Sequence, residues 1–135
     1  MERATVDVDV AVSDPRLAVL WPMIEAVADE LDLPPRWLND GAKAFAGVLP
    51  PDYGTRLVPV GTFGRLVVQA IGRSDFIVMK LFAMRAEDVD DLRTLRPTPA
   101  EIAFARAQLP RIAAFDPARA HLMELYLAQG DGGEA

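Results

Sequence analysis

Two aspartates alternate with valines near the start of the chain, in the stretch TVDVDVAVS at residues 5–13. In an extended strand successive side chains point to opposite faces, so Asp7 and Asp9 are predicted to share one face, about 6.5 Å apart at the backbone. Carboxylates this close repel each other unless a positive group lies between them. Carboxylate oxygens suit hard cations, so the pair is a candidate site for Mg²⁺ or Mn²⁺, and solvated aspartates on an exposed strand face are the alternative.

Lys80 interrupts an otherwise apolar helical segment, FIVMKLFAM at residues 76–84. Such a lysine either extends its stem to water or finds a negative partner on another element, because Asp75 lies outside the three-and-four spacing of helical neighbours. In the second case we expect Lys80 to point toward the aspartates of the first strand. A row of charged residues follows at three-residue steps: Arg85, Asp88 and Asp91. This row predicts a salt-bridge ladder on a helix surface.

The composition excludes several kinds of site. With no cysteine and a single histidine, His121, the 135-residue chain offers no thiolate zinc site, no histidine cluster and no Cys-His nucleophile pair. The net charge of −6 argues against broad capture of nucleic acid or of an anionic membrane, although the basic residues between 65 and 96 are candidates to line a local pocket. No apolar run is long enough to span a bilayer and no signal-peptide pattern is present, so a cytoplasmic protein is expected.

The elements that position these residues follow from hydrophobic spacing and from proline and glycine breaks. In chain order the sequence predicts a strand at 5–12, a helix at 15–31 kinked at Pro22, a helix at 36–48, strands at 55–60 and 65–71 joined by a turn at 61–64, and helices at 76–84, 87–95, 99–112 and 117–129. Ser74 and Asp75 are predicted to cap the helix at 76–84. This order predicts an α+β fold, in which residues 1–96 form a small mixed sheet with helices packed on it. The helices at 97–129 belong to the same domain, and the tail at 130–135 is expected to be disordered.

Three segments in order resemble a bacterial group of nucleotidyltransferase-like proteins: R-x-T-x-D-x-D at Arg3, Thr5, Asp7 and Asp9, PPRWLNDGAKAF at 34–45, and DFIVMKLFAMRAEDVDDL at 75–92. This group is related to the abortive-infection nucleotidyltransferase toxins of type IV toxin–antitoxin systems. The resemblance implies a metal strand for Mg²⁺ or Mn²⁺ at Asp7 and Asp9, with Lys80 as a further catalytic residue. It also implies nucleotide contacts from Arg3, Thr5, Lys80 and Arg85. Asp88 and Asp91 would support the site as part of a K-L-x-A-x-R-x-x-D-x-x-D-L pattern.

Two departures from the family pattern bear on activity. The superfamily has a glycine-rich, phosphate-binding turn upstream of the first aspartate, at a position that falls before Met1. A third metal-binding carboxylate is expected on a following strand, yet residues 53–74 contain no acidic residue and RLVVQAIG offers only Gln69. The resemblance therefore leads us to expect an N-terminally incomplete nucleotidyltransferase fold that binds metal weakly and forms a homodimer without activity as this 135-residue chain.

Two functions stay open at this point. The first is a nucleotidyltransferase of toxin–antitoxin or phage-defence type, which would move a nucleotidyl group from a nucleoside triphosphate to an RNA or protein acceptor. The second is a non-catalytic module that uses the same fold to bind a cognate partner protein. A basic patch converging on Asp7 and Asp9 would favour the enzyme, whereas an exposed apolar face would favour the module.

Overall fold

The computed structural model describes residues 8–9, 20–34, 38–39, 47–64 and 66–132. Its helices and strands are β1 (Val8–Asp9), α1 (Trp21–Leu31), β2 (Leu38–Asn39), β3 (Val58–Phe63), β4 (Leu66–Ala70), α2 (Arg73–Ala83), α3 (Ala86–Leu95), α4 (Pro99–Phe115) and α5 (Pro117–Gly132). The predicted α+β class and the helical C-terminal part are confirmed. The described strands form two pairs, β1 with β2 and β3 with β4. The chain divides into two compact units, residues 1–47 and 48–135.

In the first unit β1 and β2 run parallel, with Val8 opposite Leu38 and Asp9 opposite Asn39. The predicted helix at 36–48 is wrong at Leu38–Asn39, because these residues pair with β1 and tertiary pairing overrides a local helical preference. The rest of the predicted first strand, apart from Val8–Asp9, lies outside the described residues.

Helix α1 covers Trp21–Leu31, and residues 15–19 of the predicted helix lie outside the described residues. Pro22 lies in its first turn, where a missing N–H removes no helical hydrogen bond, so the predicted kink at Pro22 is wrong. The helix ends at Leu31, and Asp32 after it adopts the left-handed conformation. Ile24 and Ala28 are its buried residues.

The second unit contains a β-hairpin that begins with a short 3-10 turn at Tyr53–Arg56. The first predicted strand starts too early, because Thr55 donates its backbone N–H to the carbonyl of Asp52 within this turn. β3 and β4 pair antiparallel with a bulge between Pro59 and Gly61. Gly61 therefore belongs to the strand, and the turn lies at Gly64, where a φ of 64° suits a residue without a side chain.

Four helices follow the hairpin, and all four are confirmed with shifts at their ends. Helix α2 begins after Gly72 and not at the predicted Ser74-Asp75 cap, since the N–H of Phe76 already bonds to the carbonyl of Gly72. Helix α4 begins at a capping box in which Thr98 and Glu101 bond to each other's backbone N–H. Helix α5 continues through Gly132, beyond its predicted end.

The core of the second unit lies among its helices. Ile77 and Leu81 of α2 and Leu92 of α3 are almost completely buried, and they pack with Ile112 of α4 and Met123 of α5. Close packing of such side chains supplies most of the stability of an α-helical unit. None of the described helices combines the length and apolar character needed to cross a membrane.

Candidate functional site

The predicted site residues fall into both units of the chain. Arg3, Thr5 and Asp7 lie outside the described residues, and Asp9 is the second residue of β1 in the first unit. The others lie in the second unit, at and beside the junction of α2 with α3: Lys80, Arg85, Asp88 and Asp91. The structure brings these four together, whereas the predicted approach of Lys80 to Asp7 and Asp9 stays a prediction.

Lys80 projects from α2 to two carboxylates of α3. Its Nζ lies 3.0 Å from Oδ1 of Asp88 and 2.8 Å from Oδ2 of Asp91. The ammonium also lies 5.2 Å from the centroid of the Phe76 ring, within range of a cation–π contact. The side chain of Lys80 is 16% exposed. The prediction of a negative partner on another element is therefore confirmed, and the partners are on α3.

Asp88 is the centre of this cluster and has no exposed surface. Its Oδ2 accepts hydrogen bonds from Nε of Arg85 at 2.7 Å and from the Arg85 backbone N–H at 3.0 Å, while Nη2 of Arg85 reaches Oδ1 at 3.2 Å. These bonds place Asp88 at the third position of α3, where a carboxylate satisfies a backbone donor at the helix start. The predicted salt bridge between Arg85 and Asp88 is confirmed, but its surface position is wrong at Asp88, because that face of α3 packs against α2 and encloses the carboxylate.

The ionisation of the cluster follows from these bonds. Burial alone would raise the pKa of Asp88, but hydrogen bonds from Arg85 and Lys80 outweigh burial and lower it below its ordinary value. Burial alone would lower the pKa of Lys80, but hydrogen bonds to Asp91 and Asp88 outweigh it and raise the pKa. At neutral pH Asp88 is ionised and Lys80 is protonated, so the pair is poised for ion pairing and not for proton transfer near pH 7.

A second buried carboxylate, Asp75, was missed as a paired group by sequence reasoning. It accepts two hydrogen bonds of 2.8 Å each from Nε and Nη2 of Arg56, and it has no exposed surface. The same guanidinium donates to Asp52 at 2.9 Å and lies 4.8 Å from the centroid of the Phe104 ring. This bidentate pair fixes the 3-10 turn, and with it the base of the hairpin, against the first turn of α2. A partner 19 residues upstream leaves no periodic signal in the sequence.

Other basic side chains of the second unit also bond to protein groups. Four residues of the 65–96 segment each contact a carboxylate: Arg73, Lys80, Arg85 and Arg93. Arg119 of α5 donates to the last carbonyls of α2, at Phe82 and Ala83, at 3.1 and 3.0 Å. Those four side chains of the 65–96 segment are thus paired with carboxylates of α3 and α4.

The described residues show where metal ligands are and are not available. Among them, no group of three or more His, Asp or Glu residues is placed to hold a metal ion. Gln69, which occupies the region where a third carboxylate is expected, is an exposed residue of β4.

Comparison with known families gives a match over most of the chain. The family described as "Nucleotidyltransferase of unknown function (DUF6036)" matches residues 1–96. The matched span includes Asp7 and Asp9, and it ends just after α3. It also includes the Lys80 cluster, which consists of Lys80, Arg85, Asp88 and Asp91. Neither a curated protein nor a solved structure matches the chain.

Proposed function

Since the chain belongs to this family of nucleotidyltransferases of unknown function, we propose that it binds a nucleoside triphosphate with a divalent cation at Asp7 and Asp9. In this proposal the protein serves a toxin–antitoxin or phage-defence system. The reaction of that type is transfer of a nucleotidyl group to an RNA or protein acceptor, and this 135-residue chain is expected to lack that activity because residues 53–74 offer no third carboxylate for the metal. The observation that carries the proposal is the D-x-D motif at Asp7 and Asp9. The motif lies inside the span that the family matches, and its last two residues form the described strand β1 (Val8–Asp9). The type of system is supported by the resemblance of the three sequence segments.

The aspartate pair fits a hard divalent cation in its chemistry. Both donors are carboxylates, which Mg²⁺ and Mn²⁺ prefer, and a bound cation would neutralise charge on the phosphates of the nucleotide. Asp7 and Asp9 would hold the cation without a third carboxylate from residues 53–74, because this segment contains no acidic residue and Gln69 is neutral. We therefore expect weak binding of the metal in the absence of nucleotide, whose phosphate oxygens would complete the set of ligands.

We propose a positioning role for the Lys80 cluster in the same protein. Lys80 and Arg85 both bind Asp88, and these bonds hold the end of α2 against the start of α3. This arrangement supports a role in keeping the two helices in place, in contrast to the direct nucleotide contacts that the resemblance implies for Lys80 and Arg85. A positioning role predicts that Lys80→Met lowers the stability of the second unit.

Metal binding is tested by titration calorimetry with Mn²⁺ on the wild type, Asp7→Asn and Asp9→Asn. Both variants should lose the Mn²⁺ binding heat of the wild type. Asp90→Asn is the matched control, because Asp90 is an exposed aspartate of α3 whose contact is a surface pair with Arg93. Equal Mn²⁺ binding by the wild type and Asp7→Asn contradicts the proposed site.

Transfer is tested with radiolabelled nucleoside triphosphates, total RNA and a protein extract. The 135-residue chain is expected to label neither acceptor class with Mg²⁺ or Mn²⁺, and labelling by the wild type that Asp9→Asn abolishes would overturn that expectation. A toxin would also arrest growth when expressed in a bacterial host, and the arrest should be lost in Asp9→Asn. Growth arrest that is retained by Asp9→Asn contradicts a nucleotidyltransferase toxin.

An exposed apolar hairpin favours a second function, that of a non-catalytic module that binds a partner protein. Val58, Val60 and Val67 are 51%, 60% and 62% exposed on β3 and β4. Apolar side chains on exposed strands are suited to a protein partner. Co-purification with the product of an adjacent gene should be lost in the Val60→Thr Val67→Thr variant, since threonine keeps the strand shape and removes apolar surface. Binding that is unchanged in this variant contradicts a role of the hairpin.

A further inference from the structure

Arg119 of α5 binds the C-terminal end of α2. Its Nη1 donates hydrogen bonds to the carbonyls of Phe82 and Ala83, the last two residues of α2, at 3.1 and 3.0 Å. The last four carbonyls of an α-helix have no donor within the helix and carry partial negative charge, so a guanidinium is a favourable partner for them. The same guanidinium lies 5.6 Å from the centroid of the Phe82 ring. Arg119 thus contacts both the backbone and a side chain at the end of α2.

Arg119 is itself held in place at the start of α5. Its backbone N–H donates to Oδ1 of Asp116 at 3.0 Å, and Asp116 is the residue directly before α5. An aspartate at this position satisfies a free N–H of the first helical turn. The ring of Phe115, the last residue of α4, lies 6.2 Å from the ring of Phe82. The half-buried Arg119 side chain therefore reaches α2 from a fixed position between α4 and α5.

The carbonyls that Arg119 binds come directly before the corner between α2 and α3. The next residue, Met84, has a φ of 49°, a left-handed conformation that a residue with a side chain keeps only where its surroundings impose it. The N–H of Met84 bonds to the carbonyl of Lys80 at 3.0 Å, and the N–H of Arg85 bonds to Oδ2 of Asp88 at 3.0 Å. Arg119 thus fixes the stretch of backbone between the two residues whose side chains bind Asp88.

We propose that Arg119 is a positioning residue for the Lys80 cluster, because it holds the end of α2 so that the Lys80 ammonium stays 3.0 Å from Asp88. This inference rests on the positioning role that we propose for the cluster, and it needs neither metal nor nucleotide. Arg119 lies beyond residue 96, where the family match ends. Helix α5 therefore supplies a part of the scaffold of this cluster that the matched span does not contain.

The exchange of the Lys80 ammonium protons with water tests this role, because an ammonium bound by two carboxylates exchanges more slowly than a free one. NMR of the full chain with ¹⁵N-labelled lysine measures it. The chain has two lysines, Lys43 and Lys80, so Lys43→Arg assigns the two signals. Arg119→Met should speed the exchange of Lys80 about fivefold, as expected for the opening equilibrium of a corner that loses one hydrogen bond of ordinary strength.

Arg73→Met is the matched control, because Arg73 also binds the last carbonyls of a helix. It donates to the carbonyls of Leu95 and Arg96 at the far end of α3. Its replacement should leave the exchange of Lys80 unchanged although it removes a comparable helix cap. Exchange that is faster in Arg119→Met alone supports the positioning role. Exchange that is unchanged in Arg119→Met, or equally faster in both variants, overturns it, because Arg119 then acts as an ordinary helix cap.

Arg119→Gln serves as a second variant in case Arg119→Met does not fold. Its amide is too short to bind both carbonyls of α2, yet it keeps a polar group at a half-buried position. The exchange of Lys80 should again be faster, and unchanged exchange in folded Arg119→Gln overturns the proposal. This result is independent of the proposed metal site, which fails instead if Asp7→Asn binds Mn²⁺ as the wild type does.

Discussion

The ammonium of Lys80 on α2 lies 3.0 Å from a carboxylate oxygen of Asp88 on α3, and Asp88 has no exposed surface. The contact closes the corner between the two helices, where Met84 ends α2 in the left-handed conformation and Arg85 begins α3. Removing both charges from water is costly, and hydrogen bonds from Arg85 to the same carboxylate offset that cost. The corner therefore depends on a network of bonds more than on one pair.

Lys80→Met should lower the free energy of unfolding by about 1 to 3 kcal/mol, because Asp88 loses a charged hydrogen-bond partner while buried. Arg93→Met is the matched control and should change the free energy by less than about 1 kcal/mol, since both groups of its pair are more than 70% exposed. Urea denaturation followed by circular dichroism measures both. If Lys80→Met keeps full stability yet loses nucleotide affinity, Lys80 contacts the nucleotide and the positioning role is wrong.

The same pair predicts how stability depends on pH. The pKa of Asp88 is lowered in the folded state, so its contribution is present above the unfolded carboxyl pKa of about 3.9 and is lost as the pH falls through the folded value. The pKa of Lys80 is raised, so its contribution is present below about 10.4 and is lost as the pH rises through the folded value.

Denaturation midpoints measured from acid to alkaline pH test these two losses of stability, one at acid and one at alkaline pH. Asp88→Asn should reduce the loss of stability on the acid side, and Lys80→Met should reduce it on the alkaline side. Asp90→Asn, whose carboxylate is exposed, should follow the wild-type profile. An acid-side profile that is unchanged by Asp88→Asn would contradict the ionised state assigned to this residue.

The sequence predicts the helices of this protein better than its buried charges. Helices α2 to α5 follow from apolar spacing between proline and glycine breaks, and all four form. The three-residue spacing of Arg85, Asp88 and Asp91 locates a charged face but does not tell which part of it another helix covers. Burial of Asp88 depends on the packing of α3 against α2, so it becomes visible only in the fold.

Two further differences have the same physical origin. Asp75 looks like a helix cap by its local sequence, but Arg56 reaches it from the preceding 3-10 turn and makes it a buried ion pair. Leu38–Asn39 lie in a stretch with helical spacing, and pairing with β1 makes them a strand. In both cases a contact between distant residues replaces a local preference.

Arg56→Met should destabilise the second unit by about 3 kcal/mol, because it leaves the carboxylate of Asp75 buried without its bidentate partner. Asp52→Asn is the control, since Asp52 is an exposed partner of the same guanidinium and its loss should leave stability nearly unchanged. Thermal unfolding of both variants gives the comparison. Equal effects of the two substitutions would mean that burial of Asp75 does not set the strength of this contact.

Gly72→Ala should destabilise the junction of the hairpin with α2, because the new Cβ would lie 2.6 Å from the carbonyl oxygen of Arg56 and 3.2 Å from its Cβ. Both atoms belong to a turn held by the Arg56–Asp75 pair, so the backbone must shift, at a cost of about 1 to 3 kcal/mol. Gly54→Ala is the control, since a Cβ at Gly54 in the same turn meets nothing within 4 Å. Urea midpoints of the two variants measure the difference. If Gly72→Ala unfolds at the same urea concentration as Gly54→Ala, the turn gives way to the methyl group and Arg56 does not fix it.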